Sequence, residues 1–402
     1  MRPRVLCLLP AVPLPANSGG ALRTLTILHA LDRDFDLSVL ALGRARESGT
    51  ALARTIGGDV RVVRRKSLPA MLVAEACGIA ARLPAGYRRY AWPAGALREQ
   101  LEAQAFEVIH FDHLHTALSW PLVRKLQPRA ALVLDAHNVE ATIVERLADS
   151  APAWQRGGLR WQARRIRQLE GAVAREMDLV IACSDRDAQA FEALGSRRVR
   201  FVPNGVPPLS RGEVKQRRDV VFVGSLDWRP NVEAAVQLAR EIWPRCRALL
   251  PGARLVLVGR KPPPAVLSLA AQDVIVAGSV PSVQTFLDGA FATAIPLRAG
   301  SGTRIKILEA WAAGVPVVAS RIAAEGLPGR DGVDLLFAEE PEDFARALVR
   351  IWRDRSLVER LVAEARRTVA PFAPERVAEA VSRHYREQLG LRKGPATLTS
   401  PA

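Results

Sequence analysis

The strongest constraint on this chain is a pattern that runs once, breaks and starts again. Seven short apolar runs rich in Val, Ile and Leu lie at residues 4–10, 35–43, 60–64, 107–112, 131–136, 178–184 and 199–203. Helical patterns such as 94–105 and 158–175 lie between them. Residues 207–219 (PPLSRGEVKQRRD) then carry proline, glycine and charge without apolar periodicity, the composition of a linker. The pattern restarts with runs at 220–225, 254–259, 274–278, 292–296, 315–320 and 334–337, and with helical segments at 232–242 and 303–313. Apolar runs with little alternation suit parallel strands buried on both faces. Two successive β/α series predict an α/β protein of two Rossmann-like, doubly wound domains facing across a cleft. The expected division is 1–210 and 211–372, with a helix at 373–390 packing back on the first domain and a flexible tail at 391–402.

Composition narrows the class. The 402 residues, 49% hydrophobic and 24% charged, fit a soluble protein of two ordinary domains. No apolar run approaches the roughly 20 residues that cross a bilayer, and the first run ends in a proline-rich loop. A cytoplasmic location is therefore expected, with the inner face of the cell membrane as one setting. Cys7, Cys77, Cys183 and Cys246 form no C-x-x-C pair and are expected to be buried and reduced. The net charge of +16 comes mostly from arginine and attracts anions: nucleic acid, acidic lipid or phosphorylated substrate. The basic stretches lack the aromatic interleaving of a single-strand binder, so no nucleic-acid partner is expected. Residues 153–167 mix arginines with Trp154 and Trp161, which fits either a solvated helix face or a helix resting on anionic headgroups.

Two stretches carry chemistry. In the first, Gly19 and Gly20 sit where the first strand feeds a helix, without the dinucleotide fingerprint G-x-G-x-x-G. Such a pair permits positive φ or a close approach to a ligand, beside free N–H groups at a helix start. The second stretch is PLRAGSGTRIKILEAWAAGVPVVAS, residues 296–320. Gly300, Ser301, Gly302 and Thr303 can present successive N–H groups to an anion. Lys306 in the first turn opposes the helix dipole, which an anion in front of it would explain. Lys306 and Glu309 share a face with 302 and 313. Amides, Arg304 and Lys306 suit a diphosphate, and Glu309 suits neutral sugar hydroxyls.

At this segment the chain resembles the retaining glycosyltransferases of the GT4 type, which have the GT-B fold. The likeness continues in order through HNVE, VPNGV, VVFVGSLDWRPN and LVLVGR, across residues 4 to 375. It implies a hexosyl-type transferase moving a sugar from a nucleoside diphosphate to a glycan or lipid-linked acceptor, with retention, in cell-surface polysaccharide or glycolipid synthesis. It places Gly19 and Gly20 over the donor phosphates, Gly302 and Thr303 at the diphosphate, and Glu309 on the ribose as the second glutamate of E-x7-E. Ser301 stands where the first glutamate of that motif falls, and Ser225 and Pro230 replace the usual arginine and lysine. Arg229, Arg304 and Lys306 are the candidate replacements. Glu325, in AAEGL, matches an acid–glycine segment that could touch ribose or sugar, or be a loop charge.

In the first half, IHFDHLHT and DAHN end two predicted strands. The resemblance puts a histidine there beside the donor sugar: His113, with Asp112 and His110 as competitors, and with Gly20 in the catalytic group. Asp135, His137 and Asn138, with His110, are expected on the acceptor side. The leaving diphosphate needs electrostatic stabilisation, which amides and cations supply. With no D-x-D motif of the metal-dependent kind, neither a metal nor another cofactor is expected. An epimerase or hydrolase on the same scaffold, and a non-catalytic binder of nucleotide sugars or polyanions, stay open as alternatives.

Overall fold

The computed structural model describes residues 2–16, 18–43, 46–64, 83–84, 87, 92–207, 217–299 and 305–390. Its first parallel sheet contains β1 (Arg4–Leu9), β2 (Asp36–Gly43), β3 (Asp59–Arg64), β4 (Val108–Asp112), β5 (Ala131–Ala136), β6 (Leu179–Ala182) and β7 (Val199–Phe201), in the order β3-β2-β1-β4-β5-β6-β7. The second contains β8 (Asp219–Val223), β9 (Arg254–Val258), β10 (Val274–Gly278), β11 (Ala290–Ile295), β12 (Val317–Ala319) and β13 (Leu336–Phe337), in the order β10-β9-β8-β11-β12-β13. Each predicted apolar run overlaps one of these strands. In both sheets the order reverses beside the first strand, between β1 and β4 and between β8 and β11. Loops leaving the carboxyl ends of strands diverge there and open a crevice.

Alternation along β1 shows why the first sheet is covered on both sides. Val5, Cys7 and Leu9 join one apolar layer with Leu28 and Leu31 of helix Gly19–Asp34, while Leu6 and Leu8 join the opposite layer with Phe111. Helix Pro374–Gln388 adds Val377, Val381 and Tyr385 to the first layer at a spacing of four. Ser382 also donates to the carbonyl of Ala30 (3.3 Å), and Arg386 pairs with Asp34 (3.2 Å). The chain thus crosses to the second domain and returns to cover the first. Cys7, Cys183 and Cys246 are buried and unbridged, whereas Cys77 lies outside the described residues.

Two helices begin earlier than their periodicity suggests. The helix expected from 232 starts at Arg229, because Pro230 occupies its first turn, where a missing N–H costs nothing. The helix expected from 158 starts at Ala153 and runs through Gly157 and Gly158 to Glu176. That long helix also caps its neighbour. Helix Glu140–Ser150 has Val139 at its N-cap, which offers no side-chain acceptor. Buried Glu170 takes over, accepting from the backbone N–H of Glu140 (2.6 Å) and of Ala141 (3.3 Å). Burial and the neighbouring Glu140 push the Glu170 carboxyl up to about 8 against those two donors. A neutral amide can therefore replace it. Glu170→Gln is expected to melt near the wild-type temperature, whereas Glu170→Ala should lose about 1–2 kcal/mol of stability in denaturant unfolding.

Candidate active-site cleft

The first half of the site grows from the ends of β1, β4 and β5. Asp112 and Asp135 are register partners at the carboxyl ends of β4 and β5, so their side chains lie side by side. Both are buried, and each is compensated by cations. The Arg23 guanidinium bonds both Asp135 oxygens through Nε (3.0 and 2.9 Å) and also donates to the Val202 carbonyl and Asn204 Oδ1, each at 2.9 Å. His137 Nε2 lies 2.8 Å from Asp112 and 3.1 Å from Asp135. Burial pulls the His137 imidazole down, but the two carboxylates outweigh it and hold its pKa at about 9. Burial raises Asp112, and the opposing pull of His113 and His137 leaves it well below the usual carboxylate range.

His113 follows β4 in a left-handed conformation (φ 71°), which turns its ring back to bring Nδ1 within 3.0 Å of Asp112. The ring stacks on His137 with centroids 3.5 Å apart. Thr24 completes the set, donating to Asp112 at 3.1 Å. His110 lies beneath, buried and bonded through Nδ1 to the Tyr385 hydroxyl at 2.6 Å, and burial lowers its pKa. The three competitors at the end of β4 thus occupy different positions: His113 is partly exposed, Asp112 buried beside it, and His110 in the core. Asn138 follows, half-buried.

The glycine pair meets this cluster. Gly19 and Gly20 are the first helical residues after the cap Ser18, whose Oγ accepts from Ala21 N–H (3.3 Å). Neither has positive φ, and a close approach constrains only Gly19. A Cβ on Gly20 would stand 3.5 Å from His137 Nδ1 and 3.8 Å from His113 Nε2. A Cβ on Gly19 would stand 2.7 Å from Ile305 Cδ1, across the cleft in the second domain.

The second half-site is built at the end of β8. Lys306 Nζ donates to Asn231 Oδ1 (2.6 Å), and Asn231 Nδ2 donates to the Ser225 carbonyl (2.9 Å). Gly224 allows this, since its Cβ would come within 2.8 Å of Asn231. Lys306 also lies 4.6 Å over the Phe222 ring. Half-buried Glu309 makes no hydrogen bond or ion pair with the described residues, and burial pushes its carboxyl up to about 7 against the pull of Lys306. Gly300, Ser301, Gly302, Thr303 and Arg304 lie outside the described residues.

Two candidate contacts are engaged elsewhere. Arg229 pairs with Glu233 one turn along its own helix (2.7 Å). Glu325 is held by Arg146 through both oxygens (2.6 and 3.0 Å) and by Arg186, all across the domain boundary. Its carboxylate is an interdomain ion pair rather than a free acceptor.

Several site residues escaped the sequence reading. Arg23 and Thr24 carried a usable signal, because Arg23 shares a helical row with Ile27 and Leu31 and is a charge on a buried face. Asn204 and Asn231 carried none beyond the motifs around them. Asp112, His113 and His137 also present ligand atoms within 4.8 Å of one another, the donor set of a small metal site. In the structure these groups bond one another as an ion-pair network.

Comparison with known proteins agrees with the architecture. Residues 217–354 match the family described as "Glycosyl transferases group 1", and residues 18–208 match "Glycosyltransferase Family 4". No curated protein sequence matches the chain significantly. HepE of Anabaena, solved with UDP and glucose, is 14% identical with a TM-score of 0.70, over 95% of this chain and 99% of that one. Sucrose-phosphate synthase of Thermosynechococcus elongatus is 16% identical with a TM-score of 0.73, over 97% and 100%. TarM is 10% identical with a TM-score of 0.70, over 97% and 99%. At these identities the likeness is one of fold.

The His137 linkage has a definite sign. Its folded pKa of about 9 exceeds the unfolded value near 6.5. Its stabilisation is therefore complete below about 6.5 and is lost as pH rises through about 9. Melting temperature should fall across that window, and His137→Gln should flatten the fall without changing the trend at acidic pH.

Proposed function

We propose that this chain, which belongs to the group 1 glycosyltransferases of family 4, moves a sugar from a nucleoside diphosphate to an acceptor hydroxyl with retention at the anomeric carbon. The observation that carries this reading is the pairing of a fixed cation with an unpartnered carboxylate. Lys306 is held by Asn231, and Glu309 is sheltered but unbonded to the described residues, one turn further along the same helix. A cation suits a diphosphate, and a sheltered carboxylate suits the two hydroxyls of a ribose. Two of the similar structures hold UDP with glucose or UDP-glucose, which makes UDP the first diphosphate to test.

The residues divide the work. Lys306, with the N–H groups and cation of residues 300–304, stabilises negative charge on the leaving diphosphate. Gly20 opens the space in front of His113 and His137, where a sugar ring and the acceptor hydroxyl meet. His137, held protonated by Asp112 and Asp135, presents positive charge there. The departing phosphate takes the acceptor proton on the same face, so no metal is called for. Contacts such as Gly19 against Ile305 exclude water and limit hydrolysis. A hexose is the proposed sugar, and a growing glycan or lipid-linked glycan made for the cell surface is the proposed acceptor, met at the cytoplasmic face of the membrane. No helix of the described residues is long and apolar enough to cross that membrane.

Thermal stabilisation by UDP, GDP, ADP, CMP and dTDP tests the donor site. One diphosphate should raise the melting temperature clearly, and Lys306→Ala and Glu309→Ala should each abolish the shift. Affinity should strengthen as pH rises through about 7, where Glu309 ionises, and Glu309→Gln should remove that dependence. If no diphosphate binds, the transferase reading falls.

Gly20→Ala tests the catalytic side. The added Cβ finds ordinary van der Waals space, and alanine is a better helix former than glycine. Stability should therefore hold. Turnover with the matching nucleotide sugar should drop at least tenfold, because the methyl occupies the space before the histidine pair.

A further inference from the structure

The described residues expose four large apolar side chains, and two of them lie on one helix. Trp154 is 82% exposed and Trp161 45% exposed on helix Ala153–Glu176. Seven residues apart, they share a face. That face points away from the core, because Ala163, Ile166, Glu170 and Val173 line the opposite side. Between the tryptophans stand Gly157 and Gly158, and a Cβ built on either would meet nothing within 4 Å. Two glycines inside a helix cost about 1 kcal/mol each relative to alanine, and no packing in the structure uses them. They leave a shallow notch between two indoles, open to a partner.

Charge decides the partner. From 153 to 169 the helix has no acidic residue and five arginines, at 156, 160, 164, 165 and 167. Arg160 and Arg167 are drawn to Asp149 and Glu145 of the preceding helix (3.5 and 2.6 Å). Arg156, Arg164 and Arg165 form no ion pair with the described residues. Arg165 instead lies over the Trp161 ring at 5.4 Å and bonds Gln168. Indoles that keep one polar edge, flanked by unneutralised guanidinium groups, match the boundary between headgroups and acyl chains of an anionic bilayer. Base stacking would need a groove along which a strand runs, and this face is a convex helix.

We propose that the outward face of helix Ala153–Glu176 docks on an anionic lipid bilayer, with Trp154 and Trp161 in the headgroup region. The docked helix caps helix Glu140–Ser150 through Glu170, so the surface is tied to the loop carrying His137 and Asn138. It deepens the reading of an acceptor met at the membrane, but bilayer binding is read without any turnover. Failure of the donor experiments and failure of this proposal are thus separate.

Co-sedimentation with vesicles tests it. The full chain should pellet with phosphatidylglycerol–phosphatidylcholine vesicles and stay in solution with phosphatidylcholine alone. Raising salt should weaken the binding. Trp154→Ala combined with Trp161→Ala should cut partitioning at least tenfold. Arg164→Glu should cut it by about fivefold or more, the effect of one basic charge near such a surface. Circular dichroism melts should be unchanged, since neither indole is in the core. If the alanine pair proves unstable, the Trp154→Phe, Trp161→Phe pair should still bind, with less quenching of tryptophan emission by brominated lipid. Absence of vesicle binding overturns the proposal. So does vesicle binding indifferent to the tryptophans, self-association through this face, or binding of short DNA that depends on the same residues.

Discussion

Much of the first domain is organised by the burial of Asp112 and Asp135 side by side at the ends of two adjacent strands. Two neighbouring carboxylates in a core would repel each other and forfeit hydration, and removing the cationic partner of a buried carboxylate costs about 3–5 kcal/mol. Arg23 from helix Gly19–Asp34, His137 from the loop after β5, Thr24 and His113 supply the compensation. They come from three segments, with Arg23 and Thr24 on one helix and the histidines in two loops, so satisfying two acids fixes the helix, both loops and the rings between them. Arg23 extends the network to Val202 and Asn204 at the exit from the first domain. The same bonds that settle the core hold a charged imidazole at the cleft.

The second domain is electrostatically lighter. Its half-site has one tethered lysine, one carboxylate without a bond to the described residues, and a glycine that lets Asn231 reach Lys306 and the Ser225 carbonyl. The domains meet through small contacts, Gly19 against Ile305 and Leu22 against the second core. They also meet through the Arg146–Glu325–Arg186 ion pairs. Those arginines stand on helices Glu140–Ser150 and Asp185–Ala193, the first of them capped by Glu170 from the tryptophan-bearing helix. The tryptophan-bearing helix, an interdomain ion pair and the histidine cluster thus share one structural unit.

Much of the site could be read before folding, though unevenly. Asp112, His113, Asp135 and His137 lie at predicted strand ends and Gly20 at the start of the helix after the first strand. Parallel sheets direct such positions into one crevice, so naming the ends was enough to gather them. Lys306 and Glu309 followed from helical spacing. Arg229 and Glu325 show the limit. Arg229 was chosen as a cation for the diphosphate and Glu325 from its acid–glycine match, with a loop charge as the alternative. The structure pairs them with Glu233 and with two first-domain arginines, contacts that spacing does not record. His110 differs from His113 by three positions but ends in the core, because strand alternation and the returning Tyr385 claim it.

The sequence alone determined the two-domain α/β architecture, since apolar runs with little alternation can be buried only in parallel sheets covered on both faces. It also determined where the site must open, because the order of strands and helices puts their loops at one edge. Tertiary structure decided which charges remain free, which are paired and which histidine faces the cleft. Those outcomes depend on distances between segments far apart in the chain, such as Arg23 to Asp135 and Arg146 to Glu325. Residue spacing carries no record of such distances.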